Sequence, residues 1–80
     1  MTESKEIHTT AQLGERLRSA RRARGLRLDD VALAAGVGIR FVSELERGKP
    51  TARLAETLRV IDALGLRLRL DDAHGDDADG

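Results

Sequence analysis

Between Gly36 and Pro50 the chain reads GVGIRFVSELERGKP, and its side chains are of the kinds that read or hold a polyanion. Arg40 carries a planar guanidinium that matches the two acceptors of a guanine edge, the commonest specific contact to a duplex. Ile39 offers a surface for a thymine methyl, and Ser43 a hydroxyl for a base or a phosphate. Glu44 could accept from a cytosine amine or, near phosphates, reject wrong sites. Arg47 and Lys49 follow and suit phosphate contacts, which position a protein without carrying sequence information. Arg18 and Arg22, earlier in the chain, are candidates for the same work, with a solvated surface role equally open. Arg40 and Glu44 also stand four residues apart, the spacing of an exposed helical ion pair worth about 0.3 kcal/mol. A pair that weak is readily surrendered to a stronger partner.

Other chemistries find little support. The two histidines, His8 and His74, fall near the chain ends, so the body offers no acid–base pair and no metal cluster. Gly36-Val37-Gly38 lacks the preceding strand and the third glycine of a phosphate cradle. With no cysteine there are no disulfides and no thiolate zinc sites, in keeping with a reducing cytoplasm. Neither enzyme activity nor a cofactor or metal is expected.

The net charge of zero conceals a segregation of signs. Residues 10–70 carry thirteen Arg or Lys against seven acids, a net +6, while residues 71–80 carry five aspartates and no base. A basic body with an acidic tail suggests a polyanion partner. No apolar run approaches the roughly 18 residues of a membrane span. The opening MTESKEIHTT lacks the charged head and apolar centre of a signal peptide. A soluble, cytoplasmic protein is expected. Eighty residues without Trp or Tyr make one small domain whose core is marginal, so a second subunit is expected to help bury it.

The elements that must position the candidate residues are helical, and the fold class expected is all-α. Residues 1–8 read as a flexible polar arm. Thr9, with Gln12 three residues on, makes a capping-box pattern. Leu13, Leu17 and Ala20 continue at helical spacing, so a first helix is expected over about 10–24, closed by Gly25. A second, about 28–35, places Asp29 and Asp30 in its first turn, where they suit the positive end of the dipole. Val31 and Ala35, with Ala32 and Ala34, give it a small-residue face. A third runs from Ile39 to Arg47 with Gly38 as N-cap and Val42 and Leu45 as its apolar stripe. Thr51 opens a fourth, about 52–64, with Leu54, Leu58, Ile61 and Leu64 as its stripe. LRLRL, Leu66 to Leu70, then switches to period two and reads as a strand. The aspartate-rich residues 71–80 cannot bury anything and read as disordered. The division expected is an arm 1–8, a helical domain 9–65, a strand 66–70 and a tail 71–80.

Two short helices joined by a tight glycine turn match the helix-turn-helix arrangement. Gly36 is placed to take a positive φ, and Val37 to plug the angle between the helices. The third helix then buries Val42 and Leu45 and leaves Ile39, Arg40, Ser43 and Glu44 free to lie in a major groove.

Residues 12–65 resemble the phage-repressor-like (Cro and XRE) helix-turn-helix family, through LGERLRSARRARGL, VALAAGVG and VSELERGK. More narrowly, GVGIRFVSELERGKPTARL followed by VIDALGL and an alternating strand is similar to the HipB-type antitoxins. The resemblance implies a compact bundle of four or five helices, and a terminal strand that pairs with its copy in a second subunit. Leu66, Leu68 and Leu70 would thus dimerise the chain, setting two reading helices about 34 Å apart, one DNA turn. It also implies a structural ion pair between Arg21, near the end of helix one, and Glu46. Two positions depart from the family: Leu28 stands where a phosphate-gripping Gln is usual, and Gly38 where a Ser is usual. The function implied is a homodimeric, sequence-specific repressor of a near-palindromic operator on double-stranded DNA, the antitoxin of a HipA-like kinase toxin. The alternatives are a protein-interaction module and a stand-alone regulator without a toxin.

Overall fold

The computed structural model describes residues 6–73. Residues 1–5 of the arm and residues 74–80 of the acidic tail, His74 included, lie outside the described residues. Four helices follow one another: α1 (Thr10–Ala23), α2 (Leu28–Ala35), α3 (Ile39–Glu46) and α4 (Leu54–Ala63).

The chain enters α1 through a capping box. The Gln12 amide nitrogen donates to Thr9 Oγ1 at 3.0 Å, while Gln12 Oε1 accepts from the backbone N–H groups of Thr9 and His8. Two orphan donors of the first turn are thereby satisfied. Leu17 and Ala20 are buried and Leu13 half-buried, so the apolar stripe of α1 faces the core. In α2, Val31, Ala32 and Ala35 point inward, and Leu33 and Ala34 face solvent. The small inner face lets α2 pack against both α3 and α4. Gly36 turns the chain with φ +72°. Val37 packs on the core between the two helices, and Gly38 caps α3 in extended conformation. This is a helix-turn-helix. Val42 and Leu45, the inward residues of α3, join Leu17, Val31, Val60, Ile61 and Leu64 in one core.

The fourth helix differs from its expectation at the start and on its face. It begins at Leu54, capped by Arg53, because Lys49 to Ala52 close a turn (Ala52 N to Lys49 O, 3.4 Å) with Pro50 in a position that proline favours. Thr51 is spent in that turn and caps nothing. The buried face is Thr57, Val60, Ile61 and Leu64, whereas Leu54 and Leu58 are 68% and 40% exposed. Thr57 can occupy the core because its hydroxyl donates to Arg53 O at 2.7 Å. A polar residue satisfied within its own helix thus takes a place that spacing had assigned to leucine.

Residues 66–70 form no strand among the described residues. Leu66 packs on the core, while Leu68 and Leu70 are exposed. A strand exists only through backbone bonds to a neighbour, and the single chain supplies none at this edge.

At Gly14 two elements approach closely. A Cβ there would lie 2.5 Å from the carbonyl oxygens of both Leu45 and Glu46, so α1 crosses the end of α3 with backbone against backbone. Gly14→Ala should therefore push α1 off α3 and cost about 3 kcal/mol, an overpacking penalty. Gly36→Ala has open space around its Cβ and should cost only about 1 kcal/mol, through its left-handed backbone. Urea denaturation of the two variants checks the ranking.

Candidate nucleic-acid interface

The seat of α3 is built from charge as well as from apolar packing. Arg21 on α1 donates from Nε to Glu46 Oε2 at 2.7 Å and from Nη2 to Glu46 Oε1 at 3.0 Å. Its remaining nitrogen, Nη1, donates to Leu26 O at 2.9 Å. The side chains are only 12% and 7% exposed. Fork-to-fork geometry of this kind makes the strongest ion pairs, and the hydrogen bond to Glu46 raises the Arg21 pKa above its ordinary value. One guanidinium therefore ties together α1, the α1–α2 loop and the last residue of α3.

With its inner side fixed, α3 presents its other side to solvent. Ile39 is exposed and the Arg40 side chain is 88% exposed, while Ser43 is half-buried at the edge of the free face. Glu44 is the most charged crossing point. Its Oε1 lies 3.0 Å from Lys49 Nζ and its Oε2 3.5 Å from Arg40 Nε. The hydrogen bond from Lys49, with Arg40 and Arg47 nearby, holds the Glu44 carboxyl below its ordinary pKa against a smaller opposing effect of burial. Arg47 is exposed at the C-cap of α3. A shallow recess of about 240 Å³ joins this face to the α3–α4 turn, and Arg40, Glu44, Lys49, Thr51 and Arg53 line it.

Arg18 and Arg22 are exposed on α1 and form no ion pair among the described residues. At the start of α2, Leu28 is half-buried against the core and presents no polar group to solvent. That helix end is served by its own acids: the Arg27 backbone N–H donates to Asp30 Oδ2 at 2.8 Å, and Arg27 Nε lies 3.3 Å from Asp29 Oδ1. Carboxylates there satisfy the dipole that a phosphate would otherwise meet.

Sequence reasoning passed over three contributors. Arg53 shares the recess with Lys49, and its guanidinium is 3.2 Å from Glu56 Oε1, a buried oxygen that receives no aligned donor. Its position follows from the turn at Pro50, which spacing alone did not resolve. Arg59 on α4 donates from Nε to Ala35 O at 3.2 Å, closing the exposed carbonyl end of α2. No local pattern announces that contact. Gly14 stands inside a helical run, and a glycine placed there is a signal of close approach that could have been read. Among the described residues no group of three metal-ligating side chains occurs, and no helix is long and apolar enough to cross a membrane.

Comparison with known proteins agrees with this geometry. Residues 12–74 match a family described as a helix-turn-helix domain. The chain is 45% identical over 62 residues to an uncharacterised HTH-type transcriptional regulator, y4mF, of Sinorhizobium fredii, covering 78% of this chain and 82% of that protein. It is 50% identical over 48 residues to the HTH-type transcriptional regulator DdrOP3 of Deinococcus deserti, covering 60% of this chain and 36% of that protein. Among solved structures, HipB in complex with an O4 20mer superimposes with a TM-score of 0.81 at 21% identity, over 88% of this chain and 99% of that one. A complex described as HipA-HipB-O2-O3 does so with a TM-score of 0.82 at 20% identity, over 88% and 99%. The fold is shared with HipB.

Removing one partner of the Arg21–Glu46 pair strands a buried charge. Arg21→Met and Glu46→Gln should each destabilise the chain by about 3–5 kcal/mol, and the double variant by clearly less than their sum. A double-mutant cycle in urea checks the coupling, and additivity would deny it.

Proposed function

Because the chain belongs to the helix-turn-helix family of transcriptional regulators, we propose that it is a sequence-specific repressor that reads double-stranded DNA with the outward face of α3. The observation that carries this reading is the pairing of one buried and one free side on a single short helix. Val42 and Leu45 are inside, and Arg40 stands 88% exposed at the head of the other side. Arg40 reads a guanine edge, Ile39 meets a thymine methyl and Ser43 a base or phosphate. Arg47, Lys49 and Arg53 hold phosphates on one flank, with Arg18 and Arg22 as outer contacts. The start of α2, with Leu28 turned in and Asp29 and Asp30 in place, contributes no such clamp.

The repressor acts as a homodimer on a near-palindromic operator. Support comes from exposed leucines that one chain leaves uncovered: Leu54 and Leu58 on α4, and Leu68 and Leu70 beyond it. Pairing of residues 66–70 with their copy would satisfy their backbone and cover the apolar side chains. The likeness to HipB, which a solved complex joins to HipA, supports an antitoxin role with a HipA-like kinase toxin as partner. The competing reading is a protein-interaction module without DNA, favoured by the carboxylates that occupy the α2 terminus.

Salt separates the two. Binding to a duplex selected by the protein from a random library should weaken by about 10³-fold between roughly 50 and 200 mM salt, and no binding at low salt would favour the interaction module. Arg40→Ala should cost about 1–3 kcal/mol on that duplex and relax its specificity at one position. In sedimentation, truncation to residues 1–65 should leave a monomer. A truncated chain that remained dimeric would remove the strand from the interface.

A further inference from the structure

One carboxylate governs the reading face. Glu44 uses both of its oxygens on cations that flank the face, Oε1 on Lys49 at 3.0 Å and Oε2 on Arg40 at 3.5 Å. Its side chain is 28% exposed, against 88% for Arg40 and 47% for Lys49. The carboxylate is thus the better-anchored member, fixed on a helix that the core and Arg21 hold from behind, and the two cations gather about it. The trio carries one net positive charge where its two bases alone would carry two.

We propose that Glu44 is a specificity-determining residue that acts by restraint: it occupies Arg40 and Lys49 in the free protein and penalises their transfer to phosphates more than to base edges. This rests on the DNA reading given above. A phosphate drawn to Arg40 or Lys49 must displace the carboxylate and then sit near its negative charge, a like-charge contact that opposes binding. A guanine edge is neutral. Arg40 can turn to it at the loss of a weak exposed pair. Backbone contacts supply nearly all sequence-independent affinity, so a charge that opposes them chiefly lowers binding to wrong sites. Glu44 in this account touches neither base nor phosphate, and it sharpens the contrast between sites.

Glu44→Gln removes the charge and keeps the shape. Binding of the wild type and of this variant should be measured on a random-sequence duplex and on the duplex that the wild type selects, across a range of salt. The variant should bind the random duplex about tenfold more tightly, with a log–log salt slope steeper by about one to two, one phosphate contact contributing about 0.9. Its affinity for the selected duplex should rise by less, so that discrimination falls. In the Glu44→Gln/Lys49→Gln double variant the gain on random DNA should shrink, because one of the two released cations is gone. Unchanged affinity and slope on random DNA would overturn the proposal. So would a loss on the selected duplex confined to one base position, which would make Glu44 a base-contacting residue. If neither protein bound any duplex at low salt, the DNA reading itself would fall, and this inference with it.

Discussion

The fastening of α3 at its C-terminal end is the constraint on which the rest depends. A helix of eight residues has too few backbone bonds to be stable by itself. Here it is held by Val42 and Leu45 in the core, by the glycine contact with α1, and by the two-pronged bond from Arg21 to Glu46. All three act on one side of the helix. The opposite side is therefore left rigid and open, which on the proposed reading suits a surface that matches base edges. The same ion pair explains why a buried carboxylate sits at the end of a helix whose dipole disfavours it. Its charge is answered directly by a guanidinium that is itself satisfied at a third point by Leu26 O.

Charge is distributed over the molecule in two arrangements. Inside, Arg21 and Glu46 are matched one to one and screened from water. Outside, Lys49, Arg40 and Arg47 surround Glu44, Arg53 lines the same recess, and the balance is positive. The first arrangement gives position and the second gives attraction. At the start of α2 the balance runs the other way, since Asp29 and Asp30 serve their own helix end.

Much of this was legible in the residues. The capping box at Thr9, the extent of α2, the turn at Gly36 and the buried Val42–Leu45 stripe all follow from local rules in which every signal agrees. The start of α4 was not legible, because Thr51 and Pro50 satisfy a cap pattern and a turn pattern at once and only packing decides between them. Nor was its buried face: Thr57 reads as a surface residue until its hydroxyl is found bonded to Arg53 O. In the candidate site the outward residues of α3 could be named from spacing. The bridging of Arg40 and Lys49 by one carboxylate, and the arrival of Arg53 beside them, depend on the path of the turn, which spacing does not give. The behaviour of residues 66–70 belongs to an assembly and not to a single chain.

On the proposed reading, the free face of α3, held from behind by the core and Arg21, enters a DNA groove. Amide chemical-shift mapping of the isotope-labelled chain, titrated with its selected duplex, tests it most directly. The account predicts the largest shifts at Ile39, Arg40 and Ser43, extending through Lys49 to Arg53, with small ones at the outer face of α4. Shifts confined to α4 and residues 66–70, with α3 silent, would contradict it.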